Sequence, residues 1–240
     1  MAELSFDLAA ARFALYFAPT AGSAHDRFGT HWLGRDARTG ERPAQPAVAG
    51  FTPERLAALT SAPRLYGLHA TLKPPMYLAE GSNPAQLEAA VATIAAAHAP
   101  FHFNVELAPL HGFLAWVASD AQEQIRAVAD QCVRELDPFR RPPDAAELAR
   151  RSAHGLSPRE SELLLRWGYP HVFDQFRFHI TLSDRIDDAD ESARLLAALR
   201  EHSAALADEA LVFDALDIFV QPSKGAELVH WRRFPLGAPA

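Results

Sequence analysis

The first clear pattern in the chain is Arg12-Phe13-Ala14-Leu15-Tyr16-Phe17-Ala18, where Phe13, Leu15 and Phe17 share one face of an extended segment and Arg12 and Tyr16 the other. Alternation at a period of two predicts a half-buried strand over 12–18. Residues 20–50 lose the periodicity and are rich in Gly, Pro and Arg, which predicts irregular structure. A short helix is expected over 51–60 and a strand over 65–78. A second helix opens with Asn83 as cap, Pro84 in the first helical position and Gln86 reaching back, with Leu87, Val91 and Ile94 as its buried stripe. Strands over 101–107 and 112–118 fit a hairpin, and 121–136 reads as a helix. Between 137 and 170 the pattern breaks into two short helical stretches, the second running from Ser157 to Trp167 with a capping box and a terminal Gly168. This stretch is read as an insertion rather than a domain. A strand over 172–183, a helix over 189–205 and strands over 211–220 and 227–234 complete the pattern.

The later elements repeat the earlier ones in register. His69 precedes Phe103 by 34 residues and His179 precedes Phe213 by 34, so one offset of 110 superposes the two sets. A strand-helix-strand-strand unit used twice predicts an α+β, bilobal fold, with two antiparallel sheets, helices on their outer faces and a central cleft. All 240 residues are then one domain. Its first lobe spans about 1–120 and carries His69, its second spans about 171–236 and carries His179, and the insertion spans about 137–170.

The equivalent strands hold His69-Ala70-Thr71-Leu72 and His179-Ile180-Thr181-Leu182. Strand alternation places His69, Thr71 and Lys73 on one face, and Arg177, His179 and Thr181 on the matching face of the other strand. Eleven histidines and eight threonines would give roughly 0.4 His-x-Thr pairs by chance, so two at matching positions call for a reason. Two imidazoles facing one cleft suit displacement at a phosphodiester, one ring taking a proton from the attacking oxygen and the other giving one to the leaving oxygen. The sequence alone does not distinguish acid from base. Thr71 and Thr181 would bind the non-bridging oxygens, with Lys73, Arg177 and Tyr16 as further substrate-binding candidates. No His or Cys spacing suggests a metal site, so neither metal nor cofactor is expected. Arg140, Arg141, Arg150 and Arg151 read as a solvated face of the insertion, with a phosphate-attracting rim as the alternative. Residues 157–168 lack the partner helix that a helix-turn-helix needs.

Composition narrows the class. Hydrophobic residues are 49% and charged residues 22% of the chain, the balance of a soluble globular protein. The formal charge of −7 argues against a long nucleic acid as partner. No apolar run is long enough to span a membrane. Glu3 and Asp7 stand where a signal peptide would be basic, and Cys132 is the single cysteine, so a cytoplasmic protein is expected.

With these motifs the chain resembles the 2H phosphoesterase superfamily. The segments RFALYFAP, FGTHWLGRDARTGE, YGLHATLKPP, LDPFRRP, LSPRESELLLRWGYP and FRFHITL are similar to its bacterial branch associated with phosphonate (carbon–phosphorus lyase) operons. Leu68 and Met76 stand where Phe is expected around the first motif. The resemblance implies His69 and His179 as catalytic residues and Thr71 and Thr181 as phosphate-binding ones. It also implies a metal-independent hydrolase acting on a small cyclic phosphate ester, of the ribose 1,2-cyclic phosphate type, in phosphonate metabolism. Two alternatives accompany it: processing of RNA 2′,3′-cyclic phosphate ends, and a non-catalytic module that binds phosphorylated ligands.

Overall fold

A computed structural model describes residues 6–153 and 155–237; Glu3 lies outside them. Strand β1 (Arg12–Phe17) sits inside a four-stranded antiparallel sheet of order β2-β1-β8-β9, with β2 (Ala70–Tyr77), β8 (Ala215–Gln221) and β9 (Val229–Pro235). Strands β4 (Val105–Leu110), β5 (Phe113–Ala118) and β6 (His179–Thr181) form a second antiparallel sheet, and β3 (Phe101–Phe103) pairs with β7 (Leu211–Phe213). The fold is α+β with antiparallel sheets. Strands β7 and β8 begin 110 residues after β3 and β4. Each large sheet draws on both halves of the chain, because β8 and β9 complete the sheet of β1 and β2 while β6 adds to the β4–β5 hairpin. Strands β2 and β6, which continue from His69 and begin with His179, approach each other where the two sheets meet.

Helices cover the sheets. Helix α4 (Pro84–Ala96) lies on β8 and β9, α5 (Gln122–Glu135) on β2, and α8 (Ala189–His202) on β4 and β5. The capping box at Asn83 and Gln86 forms as expected, and so does the one at Ser157 and Glu160, which opens α7 (Pro158–Trp167). The insertion also contains α6 (Ala145–Ser152). Among the described residues no helix is long and apolar enough to cross a membrane.

Beneath the junction of the sheets lies an aromatic cluster. The Phe17 ring meets those of Phe103, Phe178 and Phe213 at centroid distances of 5.5, 5.6 and 4.8 Å, and Phe103 meets Phe178 edge-on at 5.1 Å. Leu68, Ala70, Leu72, Ile180 and Leu182 are buried in the same core. The apolar backs of both histidine-bearing segments thus pack into one hydrophobic body, which leaves their alternate residues on the other side.

Several stretches differ from the sequence expectation. The strands expected over 101–107 and 211–220 each split in two, and their first pieces, β3 and β7, pair with one another outside the hairpin. Residues 20–50 contain a helix, α1 (Ala24–Leu33), capped by the Ser23 hydroxyl and ended by Gly34 in the left-handed region, with Trp32 and Leu33 fully buried. Beyond it Arg35 is also buried, donating to the carbonyls of Arg64, Leu65 and Leu228 and pairing with Glu227 at 3.1 Å. An arginine that satisfies carbonyls in the interior reads as loop composition in a sequence. The start of the expected 65–78 strand belongs instead to α3 (Ser61–Tyr66), which follows α2 (Pro53–Leu59). The strand expected over 172–183 narrows to β6, because β5 offers partners to only three residues, Ala115 to Val117.

Lys73 also differs. The β1–β2 ladder pairs Tyr16 with Thr71 but Leu15 with Lys73, and this register shift is a bulge that turns Leu72 and Lys73 both inward. Each is 2% exposed. The Lys73 ammonium donates to the Val133 carbonyl at 3.1 Å and pairs with Asp137 at 3.5 Å, so it is not beside Thr71 as simple alternation required. Burial brings its pKa down to about 8, with Asp137 opposing the shift.

The unfolded chain therefore binds an extra proton between pH 8 and the ordinary lysine value near 10.5, and Lys73 makes folding more favourable as pH rises through that window. In chemical denaturation across this range, Lys73→Met should lack this rise. Lys73→Ala, which also leaves a void, should lose about 2–5 kcal/mol.

Candidate functional site

His69 sits immediately before β2 and His179 is the first residue of β6. Their backbones hold them in the same way. Nδ1 of His69 lies 2.9 Å from the Gly67 carbonyl and Nδ1 of His179 lies 2.8 Å from the Arg177 carbonyl, in each case two residues upstream. A carbonyl only accepts, so Nδ1 carries the proton in both rings and a neutral ring keeps its lone pair on Nε2. Thr71 Oγ1 lies 3.2 Å from Nε2 of His69. His69, Thr71, His179 and Thr181 line one cavity of about 590 Å³.

Gly67 is shaped for this task. Its φ of +77° favours glycine, and a Cβ there would lie 2.5 Å from the Ala37 Cβ. The His69 ring stacks on Tyr16, with centroids 3.9 Å apart and planes at 30°, and Tyr66 stacks on it at 5.7 Å. The Tyr16 hydroxyl is fully buried and has no hydrogen-bond partner among the described residues, although Tyr16 lines the cavity. Burial raises its pKa well above the ordinary phenol value, so it remains a donor.

Burial likewise lowers the pKa of His69 to about 4; the Gly67 hydrogen bond opposes the shift and His179 adds to it. His179 is lowered chiefly by burial, against its bond to Arg177, with His171 and His111 adding to the depression. Both rings are therefore neutral near pH 7 and able to accept a proton. A phosphoryl dianion in the cavity would favour the imidazolium form, which allows the same rings to take up and return a proton.

The remaining expected residues are distributed unevenly. Tyr16 lines the cavity with the two His-x-Thr pairs, and Lys73 does not. Arg177 lines a neighbouring cavity of about 520 Å³ that shares Thr71 and His179 with the first. Arg150 and Arg151 line the main cavity and Arg140 and Arg141 do not, so the insertion does reach the cleft. Arg12, Tyr66 and Lys224 also line it. Of these only Arg12 was visible to strand alternation; nothing in the local pattern marks Tyr66 or Lys224. Among the described residues no group of three His, Cys, Asp or Glu side chains is placed to hold a metal ion.

The folded pKa of His69 lies below the ordinary value near 6.5, so its contribution to stability is complete above pH 6.5 and is lost as pH falls toward 4. The pH slope of unfolding free energy in that window should flatten in His69→Gln, by up to one proton. Gly67→Ala should cost roughly 1–3 kcal/mol in the same denaturation assay.

The chain is similar to a curated protein of Janthinobacterium sp. (strain Marseille) named ribose 1,5-bisphosphate phosphokinase PhnN. The two are 40% identical over 228 residues, covering 93% of this chain and 50% of the relative. A protein of the same name from Laribacter hongkongensis (strain HLHK9) is 36% identical over 215 residues, covering 90% of this chain and 49% of the relative. The chain thus spans about half the length of the curated relatives it matches. A phosphokinase passes a phosphoryl group to an acceptor molecule, and a hydrolase passes it to water. The relatives' name therefore overturns the expected cyclic phosphodiesterase, the RNA-end variant of it and the hydrolase class. Paired histidines suit phosphoryl chemistry in general and do not specify the acceptor. Residues 71–229 match the family described as protein of unknown function (DUF1045), and the chain belongs to that family.

Proposed function

We propose that this chain forms the phosphorylated-ribose site of an enzyme of phosphonate metabolism that handles phosphoryl groups on ribose. A phosphoryl group would sit between His69 and His179, which exchange a proton with it. The observation that carries this reading is the shared cavity of the two His-x-Thr pairs, each imidazole held at Nδ1 by the carbonyl two residues upstream. Thr71, Thr181 and the unpartnered Tyr16 hydroxyl would donate to the phosphoryl oxygens. The ribose is suggested by the name of the two relatives.

The same reading assigns this chain the sugar-phosphate side of the reaction rather than the nucleotide side. Its two lysines are Lys73 and Lys224, and neither stands in a Gly-x-x-x-x-Gly-Lys-Ser/Thr loop that cradles nucleotide phosphates. We read the fold as one strand-helix-strand-strand unit used twice, with strands exchanged between the sheets. The kinship to the 2H superfamily would then lie in topology and in the placing of the histidines, and not in the reaction. Cys132, buried and unpaired, fits a reducing cytosol.

Calorimetric titration of the purified chain with ribose 5-phosphate and ribose 1,5-bisphosphate tests this. Binding is expected, with proton uptake below pH 7 as the bound phosphoryl group favours imidazolium. His69→Ala and His179→Ala should each weaken it roughly 10- to 100-fold, and Thr71→Val about tenfold. Absence of binding by the unaltered chain, or unchanged affinity in both histidine variants, would overturn the reading.

A further inference from the structure

The cavity has a second charged end, away from the histidines. Arg12 lies four residues before Tyr16 on the same face of β1, about 13 Å along the strand. Its guanidinium is fixed by the Gln221 side chain at 2.7 Å and the Pro75 carbonyl at 2.9 Å. Gln221 in turn donates to the Ala226 carbonyl at 2.8 Å, which braces the turn carrying Lys224. From the insertion comes Arg151 on α6, close enough to Arg12 for their charges to repel. Glu147 offsets part of this, accepting from Arg151 at 2.8 Å. Lys224 has no ion-pair or hydrogen-bond partner among the described residues. Arg12, Arg151 and Lys224, from three separate elements, thus line a cavity to which Arg150 and Arg185 add further cations and Asp184 a carboxylate, in a chain whose formal charge is −7.

We infer that Arg12, Arg151 and Lys224 form a second anion subsite, which selects a ribose carrying two phosphoryl groups over one carrying a single group. This rests on the proposed function, since the first phosphoryl group is the one at the histidines. Arg12 and Arg151 are half-buried at the cavity wall and Lys224 is exposed beside them. Such a cluster favours an oxyanion as counter-charge, bound by the guanidinium hydrogens that Gln221, Pro75 and Glu147 do not take up and by the Lys224 ammonium. Arg12 and the histidine-stacked Tyr16 line the same cavity from separate points on β1, which leaves room for a phosphoryl group at each end of one pentose. The insertion then has a role in specificity, because Arg151 belongs to it.

The test compares ribose 5-phosphate with ribose 1,5-bisphosphate by calorimetry in the unaltered chain, in Lys224→Ala and in Arg151→Ala. The unaltered chain should prefer the bisphosphate by at least about tenfold. Each variant should lower bisphosphate affinity roughly tenfold while changing monophosphate affinity less than about threefold. Lys224 has no partner to lose, so that variant remains informative if Arg151→Ala melts early. Equal affinity of the unaltered chain for the two sugars, or an unchanged preference in Lys224→Ala, would overturn the second subsite and leave the proposed function standing. Failure of the unaltered chain to bind either sugar would overturn both.

Discussion

The site depends on a shared hydrophobic floor. Phe178 and the apolar residues Leu68, Ala70, Leu72, Ile180 and Leu182 are buried in one core, gathered around the rings of Phe17, Phe103 and Phe213. Successive side chains of an extended segment point opposite ways, so burying one set commits His69 and Thr71, and His179 and Thr181, to the opposite side. Because the two segments meet the same core from adjacent sheets, that side is a common cavity. A one-residue slip in either segment would send a histidine into the aromatic cluster and a phenylalanine or leucine into the cleft.

The electrostatics follow from the same burial. A polar ring half removed from water is held neutral unless a charge joins it, and the depressed pKa values of His69 and His179 express this. The Gly67 and Arg177 carbonyls work against the depression and at the same time select the tautomer, leaving Nε2 as the exchangeable position on each ring. Both rings are therefore neutral near pH 7 in the free chain. Cations from β1, the β8–β9 turn and the insertion line this cavity in a chain of net negative charge.

Paired histidines and threonines are a general apparatus for phosphoryl groups, which explains both the reach and the error of the motif. In the proposed reading they would hold a phosphoryl group at 69, 71, 179 and 181, without specifying whether water or another molecule receives it. The relatives named as phosphokinases are about twice the length of this chain.

Much of the architecture was legible from local signals. Strong caps at Asn83 and Ser157, the strand at 12–17 and the offset of 110 between β3 and β7 are properties of neighbours in sequence. The half-burial expected of that strand, by contrast, gave way to burial on both faces once the sheet closed over Ala14 and Tyr16. The outward placing of the two histidines was legible too, because a period of two needs only the strand to be known. What remained hidden depends on partners distant in the chain. Helix α1 is anchored by burial of Trp32, whose indole donates to the Leu182 carbonyl 150 residues away, and the buried Arg35 is recognisable only once the carbonyls it serves are in place. Lys73 leaves the cleft because of a bulge set by its pairing with β1, and the meeting of Arg12, Arg151 and Lys224 requires the closed tertiary fold. The sequence by itself determined which side chains alternate and where helices begin. Only the tertiary structure decided which faces meet, since register, strand exchange and long-range burial are settled by the whole core rather than by any one segment.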